Sequence, residues 1–407
     1  MNWMLYLLLP FFLQSDSSLM SYTVSTGLEE ASSETYLSPF DEAVQKILDQ
    51  TQAPGAALAV AYEGRLVLKK GYGFADMKAS ESVKEDALFR IASVSKPITA
   101  AAILTLVEKD RLSLDDKLTD LIDLRPQRGV RMDARISQIT VRELLYHSGG
   151  WDRALSFDPM FSPVTIAVAM GEEPPASSET IVRYMLGQPL DFDPGSRQAY
   201  SNLGYAILGR IIEAVTDERY EDYVMREVFQ PAGIRSMQLG RSLLEHQVEG
   251  EVRYHDTRKF PAVFSGLGVV PAPYGAFSIE AMDAHGGWVA SAPDLLRFLT
   301  AVDANPSRPD ILQRETIGKM VSPHPSAEKP FEYYAMGWDI MKHDNNPVWF
   351  HRGDLPGTTA LLACAGKVQF AILLNGNAGS RENAEQILPS LLDAAKDVNQ
   401  WPDVDFF

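Results

Sequence analysis

A chain of 407 residues with 45% hydrophobic and 22% charged residues has ample material for a packed core, which excludes a disordered protein. A formal net charge of −17 without a Lys/Arg cluster argues against nucleic acid as a partner. Cys364 is the only cysteine, so neither an intrachain disulfide nor a thiolate metal cluster can form.

The chain opens with a short apolar run over 4–13, interrupted by Pro10, and stays unpatterned to about Pro39. Residues 1–38 therefore read as a signal-like or disordered segment, too short for a stable membrane span. This predicts a secreted or periplasmic protein, and otherwise a cytoplasmic one, because no Lys or Arg precedes Lys46 and no small-residue cleavage site stands out. The plainer reading is a hydrophobic tail from an over-extended gene start.

Helical spacing over 40–52 ends at Pro54-Gly55. Strand-like runs over 56–62 and 65–72 meet at Glu63-Gly64, which predicts a β-hairpin. Helical patterns then dominate, at 93–110, 140–146, 202–215 and 293–303, separated by long Pro/Gly-containing loops. Strand signals return at 336–341, 348–351, 358–363 and 368–374, and a last helix over 382–396 contains Pro389. Strands at both ends predict an α/β (α+β) fold. A discontinuous sheet region, 39–86 plus 330–400, is flanked by helices, with a mostly helical region, 87–329, inserted and a cleft between them.

Three short motifs carry chemistry. Ser93-Val94-Ser95-Lys96 sits at the mouth of an apolar helical run and places an amine and a hydroxyl on one helical face, so the amine can take the hydroxyl's proton. The start of a buried helix also gathers free N–H groups that favour an oxyanion and depress the lysine pKa. A second copy, Ser326 to Lys329, lies among prolines where no helix should start. Tyr200-Ser201-Asn202 precedes an apolar helix and brings a phenol and an amide. His351-Arg352-Gly353 ends a predicted strand, where Gly353 would let a substrate lie close to the backbone.

Ser-x-x-Lys, Tyr-x-Asn and His-x-Gly, in that order, resemble the penicillin-recognising serine hydrolases. The likeness is to the branch holding class C β-lactamases, DD-peptidases, D-aminopeptidases and β-lactamase-like carboxylesterases. It runs from about Phe40 to Asn377, with supporting segments at 144–150, 286–291 and 336–338. The resemblance implies a β-lactamase-like antiparallel sheet with flanking helices, forming one catalytic unit. It implies Ser93 as nucleophile, Lys96 and Tyr200 as the proton-transfer pair, and Asn202 as a contact to Lys96 and a substrate amide. His351 takes the place of the usual lysine, as a weaker, pH-dependent cation, and the backbone N–H groups of Ser93 and Asp354 form the oxyanion site. Arg352 is a second candidate for that charge, although adjacent strand residues face opposite ways. No cofactor or metal is implied, and the partner is a small-molecule ester, amide or peptide, or a β-lactam.

His147, His285 and the tryptophans 151, 288, 338 and 349 read as packing. Gly71-Tyr72-Gly73 lacks the third glycine of a dinucleotide loop, and neither Gly-x-Ser-x-Gly nor His-Glu-x-x-His occurs. The expectation is an acyl-enzyme hydrolase. The alternatives are an acyltransferase of the same fold and a binding protein that keeps the fold. The sequence does not specify an oligomeric state.

Overall fold

The computed structural model describes residues 37–324, 327, 332–343 and 346–407. The apolar run over 4–13 and the second Ser-x-x-Lys, at Ser326 and Lys329, lie outside the described residues. Helix α1 (Ser38–Thr51) starts with Pro39 in its first turn and Asp41 near its positive end. It stops where Gln52 turns left-handed and returns its N–H to Leu48. Strands β1 (Gly55–Tyr62) and β2 (Arg65–Asp76) form the predicted hairpin. Glu63 and Gly64 both adopt positive φ, as a tight turn matching the strand twist requires.

After β3 (Glu81–Ser82) and β4 (Phe89–Arg90) comes α2 (Ser95–Glu108), every residue of which is buried from Ser95 to Leu106. Next are α3 (Val141–Leu145), α4 (Asn202–Thr216), β5 (Gln238–Leu239), β6 (Trp288–Ala290) and α5 (Ala292–Thr300). The chain closes with β7 (Glu332–Tyr334), β8 (Asp339–His343), β9 (Asn346–Leu355), β10 (Thr358–Ala365), β11 (Val368–Leu374) and α6 (Arg381–Lys396). Eight strands pair in the order β3-β2-β1-β11-β10-β9-β8-β7, antiparallel throughout. The first and last thirds of the chain thus meet at β1 and β11, where Leu58 faces Ile372 and Val60 faces Phe370.

Because these central strands are covered on both sides, they read as unbroken apolar runs. One face, with Leu58, Val60, Leu361 and Phe370, packs on Phe40 and Val44 of α1 and Leu388 and Leu391 of α6. The other, with Ala57, Ala59, Ala61 and Leu373, packs towards α2 and α5, and its small alanines let the helices approach closely. Pro389 lies inside α6 without ending it. Among the described residues no helix is long and apolar enough to cross a membrane.

Two local differences from the sequence reading bear on the site. Ser93 lies in a single 3₁₀ turn, Ala92–Val94, ahead of the α-helix. Ala92 there has φ 46°, a left-handed conformation costing a non-glycine residue about 1 kcal/mol or more. And β9 continues through Gly353 and Asp354 to Leu355, pairing in register with β10, so both residues belong to the strand.

Candidate active site

Lys96 projects from the first turn of α2 and is 0% exposed. Its Nζ lies 3.1 Å from Ser93 Oγ, 2.8 Å from Asn202 Oδ1 and 2.9 Å from the His285 carbonyl. Burial pushes the amine pKa well below its ordinary value; the Asp158 carboxylate opposes that shift and Arg153 adds to it. A neutral amine has two N–H donors and one lone pair. The carbonyl oxygens of His285 and Asn202 can only accept, so they take both donors. In that neutral form the lone pair is left for the Ser93 hydroxyl; in the protonated form Nζ donates to Ser93 Oγ as it does to the other two.

The orientation of Asn202 follows from a residue the motifs do not contain. Asn202 Nδ2 donates to Asp158 Oδ2 at 2.7 Å, and a carboxylate accepts only from the amide nitrogen, so Oδ1 must face Lys96. Asp158 sits in the long loop after α3, whose composition gave no sign of it. Tyr200 lies beside this cluster, with Lys96 Nζ 4.8 Å from its ring centroid and Arg153 Cζ also 4.8 Å away. Its surroundings raise the phenol pKa, with the Ser93 hydroxyl opposing the rise, so the phenol holds its proton at neutral pH.

The segments that support the motifs in sequence also support them in space. His147, left-handed at φ 57°, accepts the Ser201 N–H on Nδ1 at 3.2 Å and packs its ring 4.4 Å from that of Tyr200. His285 contributes its carbonyl, while its ring Nε2 is buried without a partner among the described residues. Gly337, at φ 85°, leaves room for Lys96 and Ala100: an added Cβ would lie 2.9 Å from Ala100 Cβ and 3.2 Å from the Lys96 carbonyl.

On the β9 side the structure departs from expectation. His351 is 2% exposed, and its Nδ1 lies 2.7 Å from the Arg352 carbonyl, which fixes the proton on that nitrogen. Nε2 then accepts from the Tyr334 hydroxyl at 3.2 Å. Burial first, and Lys96 second, push the imidazole pKa down to about 3, so His351 is uncharged and both its nitrogens are engaged within the protein. The pH-dependent cation expected at this position is therefore absent near neutrality. Arg352 turns to the far face of the sheet, over the Phe350 ring at 4.9 Å, from where its charge adds to the lowering of the His351 pKa. Gly353 does admit a close backbone approach, but the visitor is the chain itself, Ile91 and Ala92. The side chain of Asp354 is exposed and accepts from Asn377 at 3.1 Å. Among the described residues no group of His, Cys, Asp and Glu could hold a metal ion.

The uncharged state of His351 has a measurable consequence. Between pH 6.5 and about 3 the unfolded chain binds a proton there that the folded chain refuses, so stability falls as pH falls through 6.5. At pH 4.5 the loss is about 2–3 kcal/mol. Urea unfolding at pH 7 and 4.5 should show wild type losing that much more than His351→Asn. Equal losses in the two proteins would contradict the assignment.

Fold and cluster together define a class: an α+β protein built like the β-lactamases, with a serine and a buried lysine one helical turn apart. The Beta-lactamase family model matches residues 40–392, and the chain belongs to that hydrolase family. Esterase EstB of Burkholderia gladioli is 31% identical over 281 residues, 65% of this chain and 70% of EstB. The octameric penicillin-binding protein homologue from Pyrococcus abyssi matches with a TM-score of 0.67 at 23% identity, over 88% of this chain and 77% of that one. The D-amino acid amidase from Ochrobactrum anthropi SV3, solved with D-phenylalanine, gives 0.66 at 23% identity, over 88% and 99%. At these identities the two structures speak to the fold.

Proposed function

We propose that the protein is a serine hydrolase that cleaves ester and amide bonds through an acyl-enzyme on Ser93. The observation that carries this reading is the buried Lys96 Nζ lying 3.1 Å from Ser93 Oγ, within hydrogen-bond distance. Lys96 takes the hydroxyl proton as Ser93 Oγ bonds to the substrate carbonyl carbon. The backbone N–H groups of Ser93 and Asp354 hold the oxyanion. As the tetrahedral intermediate collapses, the protonated phenol of Tyr200 gives its proton to the leaving alcohol or amine, and Lys96 restores it. Water then attacks the acyl carbon and surrenders a proton to the same pair, which returns it to Ser93 Oγ as the acyl bond breaks and the acid leaves. An alcohol or amine in place of water would give acyl transfer by the same steps.

The relatives' names, an esterase and an amidase, support esters and amides as substrates. The uncharged His351 weighs against penicillins, whose carboxylate would find no lysine-like cation on β9. A fluorophosphonate probe tests the reading. Intact mass and peptide mapping should locate a single adduct on Ser93. Folded protein that takes up no probe would instead point to a binding protein that keeps the fold.

A further inference from the structure

The loop that carries Asp158 also carries Arg153, and neither belongs to the three motifs. The Arg153 guanidinium lies 4.8 Å from the Tyr200 ring centroid, and its side chain is 49% exposed. Among the described residues its one charged partner is Asp158, at 3.7 Å, beyond hydrogen-bond distance. That carboxylate is already engaged: Oδ2 accepts from Asn202 at 2.7 Å and Oδ1 from the Met160 N–H at 3.2 Å. Arg197, one loop away, differs in donating to Asp152 at 2.8 Å while it packs on Phe192. Arg153 thus brings a planar fork of N–H donors, on a half-exposed side chain, to the edge of the cluster. Lys96 and His351, by contrast, are buried and hydrogen-bonded internally, and the rings of His147 and His285 are buried as well.

We propose that Arg153 forms an anion-binding subsite beside the Ser93–Lys96 cluster, and that the protein takes ester or amide substrates bearing a carboxylate. The inference rests on the hydrolase reading and adds the substrate class. It moves anion recognition from strand β9, where the resemblance puts it, to the Tyr200–Asn202 flank. Asp158 tempers the positive field, and an incoming carboxylate gains the bidentate geometry that Asp158 does not occupy.

The carboxylate can be carried by the acyl part or by the leaving group, and matched pairs separate the two. For the acyl part, the 4-nitrophenyl monoester of glutarate is compared with that of glutaramate. For the leaving group, 3-carboxyphenyl butyrate is compared with 3-carbamoylphenyl butyrate. The readout is the ratio of kcat/KM for the acid over its amide, in wild type, Arg153→Gln and Arg153→Lys. In one of the two pairs wild type should favour the acid about tenfold or more, through KM, with the ratio collapsing in Arg153→Gln and partly restored in Arg153→Lys. The preference should also weaken in 0.5 M salt. Calorimetric titration of the same four esters into Ser93→Ala, with and without Arg153→Gln, reads the same ratio without turnover. Failure of every ester to react would thus sink the hydrolase reading while the titration still decides the subsite. A ratio unmoved by Arg153→Gln in both pairs, by kinetics or by titration, overturns the proposal.

Discussion

Lys96→Met is expected to lower turnover of an activated ester by about 10³-fold or more while leaving the protein folded. The expectation follows from a single nitrogen having three polar neighbours, of which only Ser93 can give it a proton. Methionine matches the lysine stem in length and removes the lone pair. A second effect has the opposite sign. Because burial depresses the amine pKa, the folded chain gives up the Lys96 proton at a lower pH than the unfolded chain does. Wild-type stability therefore rises as pH climbs towards the ordinary lysine value of about 10.4, and declines as pH falls. The methionine variant lacks that term, although it leaves Asn202 Oδ1 and the His285 carbonyl without their donor, at about 1–3 kcal/mol each. Melting temperatures of the two proteins should therefore shift in methionine's favour as pH is lowered from 10 towards 7. Steady-state rates within tenfold of wild type would remove Lys96 from the mechanism, whatever the melting curves show.

The parts of this molecule legible in the sequence are those written in local patterns. The β1–β2 hairpin was readable because Glu63-Gly64 interrupts two apolar runs at a turn. Helix α2 was readable because a run apolar on every side has to be buried. Ser93, Lys96, Tyr200 and Asn202 came from motif order, and the structure brings all four together. The remainder of the site depends on partners far apart in the chain. Asp158 orients Asn202 across 44 residues, and nothing around it in sequence distinguishes it from any other loop acid. Tyr334 engages His351 from β7, a three-residue strand flanked by too little pattern to detect. The charge of His351 could not be read at all, because it is set by burial and by Lys96, 255 positions away. The sequence reading also ended β9 too early, since Gly353 looks like a strand terminator until the residues behind it are seen.

That same glycine supports the second large prediction. A Cβ built on Gly353 would lie 2.1 Å from the Ile91 carbonyl oxygen, 3.1 Å from its carbon and 3.2 Å from Ala92 Cβ. Two of these three are backbone atoms, so no side-chain rotation relieves the clash, and Gly353→Ala must push β9 away from the turn that carries Ser93. Overpacking of this kind costs about 1–3 kcal/mol. The catalytic cost should be larger. Ala92 is already held left-handed against β9, and Asp354, the next residue along, is the proposed second oxyanion donor. A shift of about 1 Å between these two backbones would separate the donors from the developing charge and cost about 100-fold in kcat. Gly318→Ala is the matched control, because a Cβ there meets nothing within 4 Å and its helix, Arg314–Met320, favours alanine. Gly318→Ala should keep both rate and melting temperature, whereas Gly353→Ala should lose rate far beyond what its melting temperature accounts for. If Gly353→Ala instead retains kcat within a few-fold, the close packing of β9 on the Ser93 turn is not what sets the nucleophile, and the oxyanion role given to Asp354 fails with it.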